Sequence, residues 1–152
     1  MPDYNLPLRL SRLRNNHLSR ALVKETRLHP QQFIAPLFIS EQLSEPQAIH
    51  AMPGQFQLSL KSLPHEIETI SALGIPAVLL FGIPKHKDAL GSESFNDEGV
   101  IQQAIRKIRT VNKDLVIITD LCFCEYTDHG HCGILKGERI DTDKTLDFLA
   151  KQ

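Results

Sequence analysis

The chain has 152 residues, of which 41% are hydrophobic and 23% are charged, values typical of a single globular domain. Its 17 basic and 18 acidic side chains nearly balance, and a formal net charge of −1 gives no global attraction to nucleic acid or to an anionic membrane. No apolar run reaches the length of a spanning helix, and the first ten residues lack a signal-peptide core, so we expect a cytoplasmic protein.

The first 30 residues form a segment of their own, which we interpret as an N-terminal arm. Leu6, Leu10 and Leu13 recur at helical spacing among several arginines. No aromatic residues interleave these arginines, which favours a solvated basic face over a surface that binds nucleic acid. Packing of the leucines on a neighbouring subunit is the other interpretation.

Three apolar runs follow the arm, and each predicts a buried strand. They read FIAPLFIS at 33–40, IPAVLLFG at 75–82 and DLVIITD at 114–120. The runs are nearly continuous in apolar character rather than alternating, which is the pattern of parallel strands that are covered on both faces.

Helical patterns lie between and after these strands. An amphipathic helix is predicted from Ser62, a possible N-cap, to Gly74, which stops it. A second is predicted to begin at Asn96 or Asp97 and to end in a basic last turn. A third begins near Thr142, with leucines at 146 and 149.

Successive strand and helix units indicate the α/β fold class, with a parallel sheet and right-handed crossovers. A (β/α)₈ TIM barrel usually needs about 250 residues, and residues 31–152 supply about three of its units. We therefore expect the N-terminal part of such a barrel, an incomplete domain. The alternative is a short doubly wound sheet, but no G-x-G-x-x-G sequence follows any strand, and such a sheet would leave edges and apolar faces uncovered.

All three cysteines lie in the segment DLCFCEYTDHGHCG, at 120–133. Cys122 and Cys124 follow the third strand, and in an extended segment residues two apart project to the same side, while a loop returns Cys132. Thiolates favour zinc over magnesium or manganese, and three ligands leave the fourth position that a catalytic zinc keeps open. Buried reduced cysteines are a second interpretation, and a redox pair is a third.

Three polar side chains in the same segment have open roles. His129 or His131 could be a fourth ligand that closes a structural site, and equally both could lie outside the coordination sphere and orient substrate or exchange protons. Asp120 ends the strand, where a carboxylate could bind a substrate amine or assist proton transfer. Capping of the following loop is the alternative for this aspartate.

The longer stretch ITDLCFCEYTDHGHCGIL strongly resembles the cysteine-rich, zinc-dependent porphobilinogen synthases, also called 5-aminolevulinate dehydratases. Other stretches agree in the same order, from about residue 8 to the last residue: RLSRLR, ETRLHPQQFIAPLFI, MPGQFQLSL, LGIPAVLLFGIP and GSESFNDEGVIQQAIRKI. Such colinear agreement is far more specific than the cysteine spacing alone.

The resemblance implies a homo-oligomeric, typically octameric, barrel lyase of tetrapyrrole (heme) biosynthesis, whose N-terminal arm embraces a neighbour. It would condense two molecules of 5-aminolevulinate into porphobilinogen with loss of two waters. By the same resemblance, Cys122, Cys124 and Cys132 hold a zinc that binds and polarises the second substrate. Asp120 lies by the substrate amine, and His131 matches a secondary metal position.

The chain departs from this family in one large respect. The two Schiff-base lysines of the family lie on later strands, and so do its substrate-carboxylate residues and magnesium site, so magnesium is expected only in a full-length chain. None of the lysines here matches those motifs. Lys85 and Lys87 follow the second strand, but a solvated loop is a better interpretation for them than catalysis.

We therefore expect the N-terminal part of the enzyme from a shortened chain, inactive alone and prone to self-association through uncovered apolar faces. A hypothesis of another class is a non-catalytic zinc-binding interaction module that keeps the metal loop and the arm. A site closed by His129 or His131 would favour the module, and an open three-thiolate site would favour the enzyme.

Overall fold

The computed structural model describes residues 10–152, so Leu6 of the predicted arm lies outside the described residues. The described part of the arm contains a 3₁₀ turn at Arg12–Arg14 and helix α1 at His17–Leu22, rather than one continuous helix. The side chain of Asn16 caps the start of α1 by accepting a 2.9 Å hydrogen bond from the N–H of Ser19. The leucines in the described part of the arm are exposed.

The rest of the chain alternates strands and helices. The strands are β1 (Ile34–Ser40), β2 (Gln47–Ala48), β3 (Phe56–Leu58), β4 (Ala77–Ile83), β5 (Val116–Thr119), β6 (Leu135–Lys136) and β7 (Arg139–Ile140). The helices are α2 (Leu63–Ala72), α3 (Val100–Val111) and α4 (Thr142–Leu149), and further 3₁₀ turns lie at Pro30–Gln32 and Ser92–Phe95.

The main sheet has five strands in the order β2-β3-β1-β4-β5. Its centre is the parallel pair β1 and β4, which is in register from Ile34 opposite Ala77 to Ser40 opposite Ile83. Strands β5 and β3 extend the sheet in parallel on either side, and β2 adds an antiparallel edge. The predicted α/β class with a parallel sheet is confirmed, and the three predicted strands correspond to β1, β4 and β5.

Helix α2 agrees with its prediction at both ends, but through a different contact at its start. Ser62 occupies the cap position without a capping hydrogen bond, because its hydroxyl instead pairs with that of Ser59 at 3.0 Å. Gly74 follows the helix with φ of +73°, the left-handed conformation that only glycine adopts without strain.

The predicted start of α3 at Asn96 or Asp97 is wrong by several residues, because the helix begins at Val100 with Gly99 as its cap. Asn96 is extended, and its side chain accepts a 3.0 Å hydrogen bond from the N–H of Glu98, which forms a turn instead of a helix. Helix α4 does begin at Thr142, where the Asp141 carboxylate accepts from the N–H of Lys144 at 3.1 Å.

Helices α2 and α3 cover one face of the sheet and enclose the core. Its buried members are Leu37, Ile39, Leu58, Leu63, Ile67, Ile70, Val78, Leu80, Val100, Ile101, Ala104, Ile108 and Leu115. The other face is apolar and partly open, with Phe38 stacked on Phe81 at 5.2 Å and Ile34 and Val116 about half exposed. None of the helices in residues 10–152 is long and apolar enough to cross a membrane.

Candidate metal centre

The loop that carries the cysteines is fixed to the carboxyl end of the sheet. The N–H of Asp120 donates to the carbonyl of Leu80 at 3.3 Å, which continues the β4–β5 ladder by one residue. Phe123 is then fully buried, and its carbonyl accepts hydrogen bonds from the N–H groups of Tyr126 and Thr127, both at 2.9 Å. The chain therefore turns sharply around a buried aromatic side chain.

This turn, and not a strand pleat, brings the first two cysteines together. Residues 123–126 form a bend and turn rather than the extended segment that the sequence predicted. The sharp turn around Phe123 leaves the Sγ atoms of Cys122 and Cys124 3.2 Å apart. The predicted convergence is found, but the local backbone differs because burial of the intervening phenyl ring curls the chain.

The third cysteine joins them from the far side of the loop. The Sγ atoms of Cys122 and Cys132 are 3.1 Å apart, and the three sulfur atoms all lie within 4.8 Å of one another. Gly130 has φ of +72°, which lets the chain reverse before Cys132. Cys132 is exposed and the other two are partly buried, so the triad opens toward solvent on one side.

Mutual hydrogen bonding makes the three thiols unequal. Burial opposes ionisation of Cys122, but the N–H of Cys124 and the hydrogen bonds with Cys132 and Cys124 outweigh it, and the pKa of Cys122 falls below 9.0. The hydrogen bond with Cys122 and burial raise the pKa of Cys124 to about 12, and the hydrogen bond with Cys122 also raises the pKa of Cys132. Cys122 therefore ionises before Cys124 and Cys132.

The triad fits a tetrahedral thiolate site. Zinc binds sulfur at about 2.3 Å, which places neighbouring sulfurs about 3.8 Å apart around the ion. The observed spacings of 3.1 and 3.2 Å need to widen by about 0.6–0.7 Å. Within residues 10–152 these cysteines are the only cluster of three or more potential metal-binding side chains. They can hold a metal through three thiolates and leave a fourth position free.

The two histidines of the loop do not join this cluster. The Nδ1 atom of His129 accepts a 3.1 Å hydrogen bond from the N–H of His131, and the centroids of the two rings are 5.5 Å apart. Thr127 holds the same stretch, because its hydroxyl donates to the carbonyl of His131 at 3.0 Å. Among the described residues, the Nε2 atom of His129 is buried without a hydrogen-bond partner, and His131 is exposed.

Asp120 lies beside the triad at the end of β5, and it is partly buried. In the described part of the chain its carboxylate makes no hydrogen bond with the following loop, while its carbonyl accepts from the side chain of Gln152 at 3.4 Å. Its charge acts on the neighbouring Glu125, which sequence reasoning did not single out. Burial raises the pKa of Glu125, the negative charge of Asp120 raises it further, and the charge of Lys87 opposes both.

The two lysines after β4 lie on an exposed loop, as predicted. The N–H of Lys85 donates to the Glu41 carboxylate at 2.8 Å, which ties this loop to the end of β1. Lys87 lies close enough to Glu125 to affect its ionisation, although its own side chain is exposed. Neither side chain has the desolvated surroundings that a Schiff-base lysine needs.

Comparison with known proteins points to one family. The family model described as delta-aminolevulinic acid dehydratase matches residues 8–152. Curated proteins of that name are similar to this chain. The protein from Helicobacter pylori is 53% identical over 95% of this chain and 45% of its own length. The protein from Ruminiclostridium josui is 49% identical over 92% of this chain and 68% of its own length.

A solved structure agrees with these relatives. The delta-aminolevulinic acid dehydratase (porphobilinogen synthase) of Toxoplasma gondii, in complex with the reaction product porphobilinogen, superposes with a TM-score of 0.86 at 30% identity. It covers 97% of this chain, which in turn covers 43% of that protein. The chain thus spans less than half the length of two of these three proteins. The resemblance predicted from the cysteine-rich loop is confirmed, and the chain belongs to the delta-aminolevulinic acid dehydratase family.

Proposed function

We propose that this chain supplies the zinc site of a porphobilinogen synthase, a lyase that condenses two 5-aminolevulinate molecules into porphobilinogen with loss of two waters. The reaction belongs to tetrapyrrole (heme) biosynthesis, and we place it in the cytoplasm. The single observation that carries the proposal is the convergence of three thiols at the carboxyl end of a parallel sheet. That edge is where barrel enzymes build their active sites.

The proposed architecture is the first part of a (β/α)₈ barrel, formed by residues 31–152, after an oligomerisation arm at residues 1–30. The partly open apolar face around Phe38 and Phe81 supports the barrel, because a closed barrel packs such side chains into its interior. Leu18 and Leu22 of α1 are largely exposed, which supports an arm that packs on a neighbour in a homo-oligomer of the octameric type.

In this proposal Cys122, Cys124 and Cys132 hold the zinc. When bound, zinc acts as a Lewis acid that polarises a substrate carbonyl. Because the two histidines lie outside the cluster, the site keeps the open position that a substrate oxygen requires. His131 is proposed only as a secondary metal position. Within residues 10–152 we propose no magnesium ligands, and we expect magnesium to bind only to a full-length chain.

Asp120 is the proposed acid–base and binding group for the substrate. Its carboxylate has no partner in the following loop and follows β5 directly, so it can accept hydrogen bonds from a substrate ammonium group. A carboxylate in that place can also take a proton from the ammonium group, which leaves a neutral amine that can attack a carbonyl. The open geometry of the triad favours this function over a non-catalytic zinc module, which would need a fourth protein ligand.

Catalysis also needs Schiff-base lysines, and the lysines of this chain do not match the family's motifs. We therefore propose that the 152-residue chain binds zinc but forms no porphobilinogen by itself. The test supplies 5-aminolevulinate to the chain, at confirmed intact mass, with zinc, with a chelator, and with a co-expressed segment that bears the lysines of a relative. We expect product only in the zinc-containing co-expression. Chelator-sensitive product from the chain alone would show that the missing lysines are not essential.

A further inference from the structure

A second loop contacts the cysteine loop through a short turn at residues 88–92, which we call the bracing turn. Asp88 organises this turn from within. Its Oδ1 atom accepts hydrogen bonds from the N–H groups of Leu90 and Ser92 at 2.9 and 3.0 Å, and its Oδ2 atom accepts from the Ser92 hydroxyl. The hydrogen bond from the Ser92 hydroxyl lowers the pKa of Asp88, so the carboxylate form is favoured.

The backbone of the same residue holds the cysteine loop. The N–H of Asp88 donates to the carbonyl of Tyr126 at 3.3 Å, and the carbonyl of Asp88 accepts from the N–H of Asp128 at 3.2 Å. Together they form a parallel bridge between Asp88 and Thr127. Asp88 therefore joins two loops that are distant in sequence, and its side chain fixes the turn from which these two bonds are made.

A glycine places the bracing turn directly against the residue between the first two cysteines. Gly91 has φ of +62°, and a Cβ atom there would lie 2.9 Å from Cδ1 of Phe123 and 3.4 Å from Cβ of Tyr126. The backbone of Gly91 thus packs on the ring around which the cysteine loop turns. The close approach requires glycine for two separate reasons, its conformation and its lack of a side chain.

We propose that Asp88, with Gly91, is a positioning residue that sets the spacing of Cys122, Cys124 and Cys132 before metal binds. The inference rests on the proposed zinc site and adds residues that touch neither metal nor substrate. The cysteine loop has no regular secondary structure. The end of β5 holds its start, Thr145 of α4 holds its far end, and the bracing turn holds the part between the first two cysteines and the third. Loss of such supporting contacts typically lowers metal affinity about 10- to 100-fold.

The first test measures zinc affinity of the 152-residue chain by competition with a chromophoric chelator. Asp88→Ala removes all three acceptor contacts, and we expect zinc affinity to fall at least about tenfold. Asp88→Asn loses the charge but keeps the Oδ1 acceptor, so its zinc affinity should stay within about threefold of that of the unchanged chain. That result would show that the weaker binding of Asp88→Ala does not come from the lost charge. Asp114→Ala is the matched control, because Asp114 is exposed and lies before the opposite end of β5.

A second pair of variants keeps the inference testable if Asp88→Ala does not fold. Gly91→Ala brings a methyl group against Phe123, whereas Gly54→Ala has the same kind of positive φ but nothing within 4 Å. We expect at least a tenfold loss of zinc affinity for Gly91→Ala and less than a twofold change for Gly54→Ala. Equal effects in the two glycine variants, or equal affinities of Asp88→Ala and Asp114→Ala, would overturn the inference.

Hydrogen exchange of the metal-free chain separates this inference from the proposed function. The amide of Asp128 donates to Asp88, so its exchange should quicken at least about tenfold in Asp88→Ala and not in Asp114→Ala. Unchanged exchange would overturn the inference even if zinc binds. Failure of the unchanged chain to bind zinc would count against the proposed function, and the exchange result would then decide the role of Asp88 alone.

Discussion

Zinc binding to the cysteine triad should depend steeply on pH, because the metal-free site holds protons that the ion must displace. Zinc binds thiolates, whereas the pKa of Cys124 is raised to about 12 and that of Cys132 is also raised. The pKa of Cys122 is lowered. Above the pKa of Cys122 and below that of Cys132, each zinc therefore releases two protons, and below the pKa of Cys122 it releases three.

The number of released protons fixes the slope of affinity against pH. Two protons per ion predict about a hundredfold rise in affinity for each pH unit, and three predict about a thousandfold rise. The sign is unambiguous, since deprotonation is required for binding: affinity rises with pH and flattens only above the pKa of Cys124, which is raised to about 12.

Calorimetry measures this slope directly. Zinc is titrated into the chain at several pH values, in buffers with different ionisation enthalpies, so that the released protons are counted independently of affinity. Cys132→Ser should lower the count by one, because a serine hydroxyl is not deprotonated at these pH values, and Gly137→Ala, outside the cysteine loop, should leave it unchanged. A slope of one or less in the unchanged chain would refute the assigned ionisation of the triad.

Three further predictions concern stability. Phe123→Ala removes the largest fully buried side chain and should destabilise the chain by about 3–5 kcal/mol in chemical denaturation, whereas Phe33→Ala, at a 41% exposed site, should cost far less. Gly82→Ala places a methyl group 2.8 Å from Ile101, which predicts a loss of about 1–3 kcal/mol and a lower melting temperature; a change below 0.5 kcal/mol, about the scale of surface substitutions, would contradict that packing. Asp141→Ala removes the cap of α4 and should cost about 1 kcal/mol, with Asp143→Ala as the neighbouring control.

The parallel sheet was predictable because the local sequence pattern identifies its central strands. Strands β1 and β4 are long apolar runs, and each alternates with a helix pattern that ends in a recognisable stop such as Gly74. Strands β2 and β3 were missed because they contain two and three residues and carry no apolar period of their own. They exist through hydrogen bonds to a neighbouring strand, which no local pattern records.

The residues of the candidate site were predictable from the sequence, but the backbone conformation that brings them together was not. Three cysteines within eleven positions predicted the triad, yet the turn that joins Cys122 to Cys124 depends on burial of Phe123. The bracing turn at Asp88 was not predicted, because its hydrogen bonds to the cysteine loop join residues that are far apart in sequence. Likewise, the start of α3 was misplaced because the side chain of Asn96 binds the N–H of Glu98, and this hydrogen bond stabilises a turn where a helix could have begun.

The most direct test of the proposed zinc site is X-ray absorption at the zinc edge of the metal-loaded chain, before and after addition of 5-aminolevulinate. We expect three sulfur neighbours at about 2.3 Å and one oxygen or nitrogen neighbour at about 2.0–2.1 Å, without the outer-shell scattering of imidazole. Addition of 5-aminolevulinate should change only the light-atom shell. Imidazole scattering from His129 or His131, or a fourth ligand that substrate never displaces, would contradict an open catalytic site built by Cys122, Cys124 and Cys132.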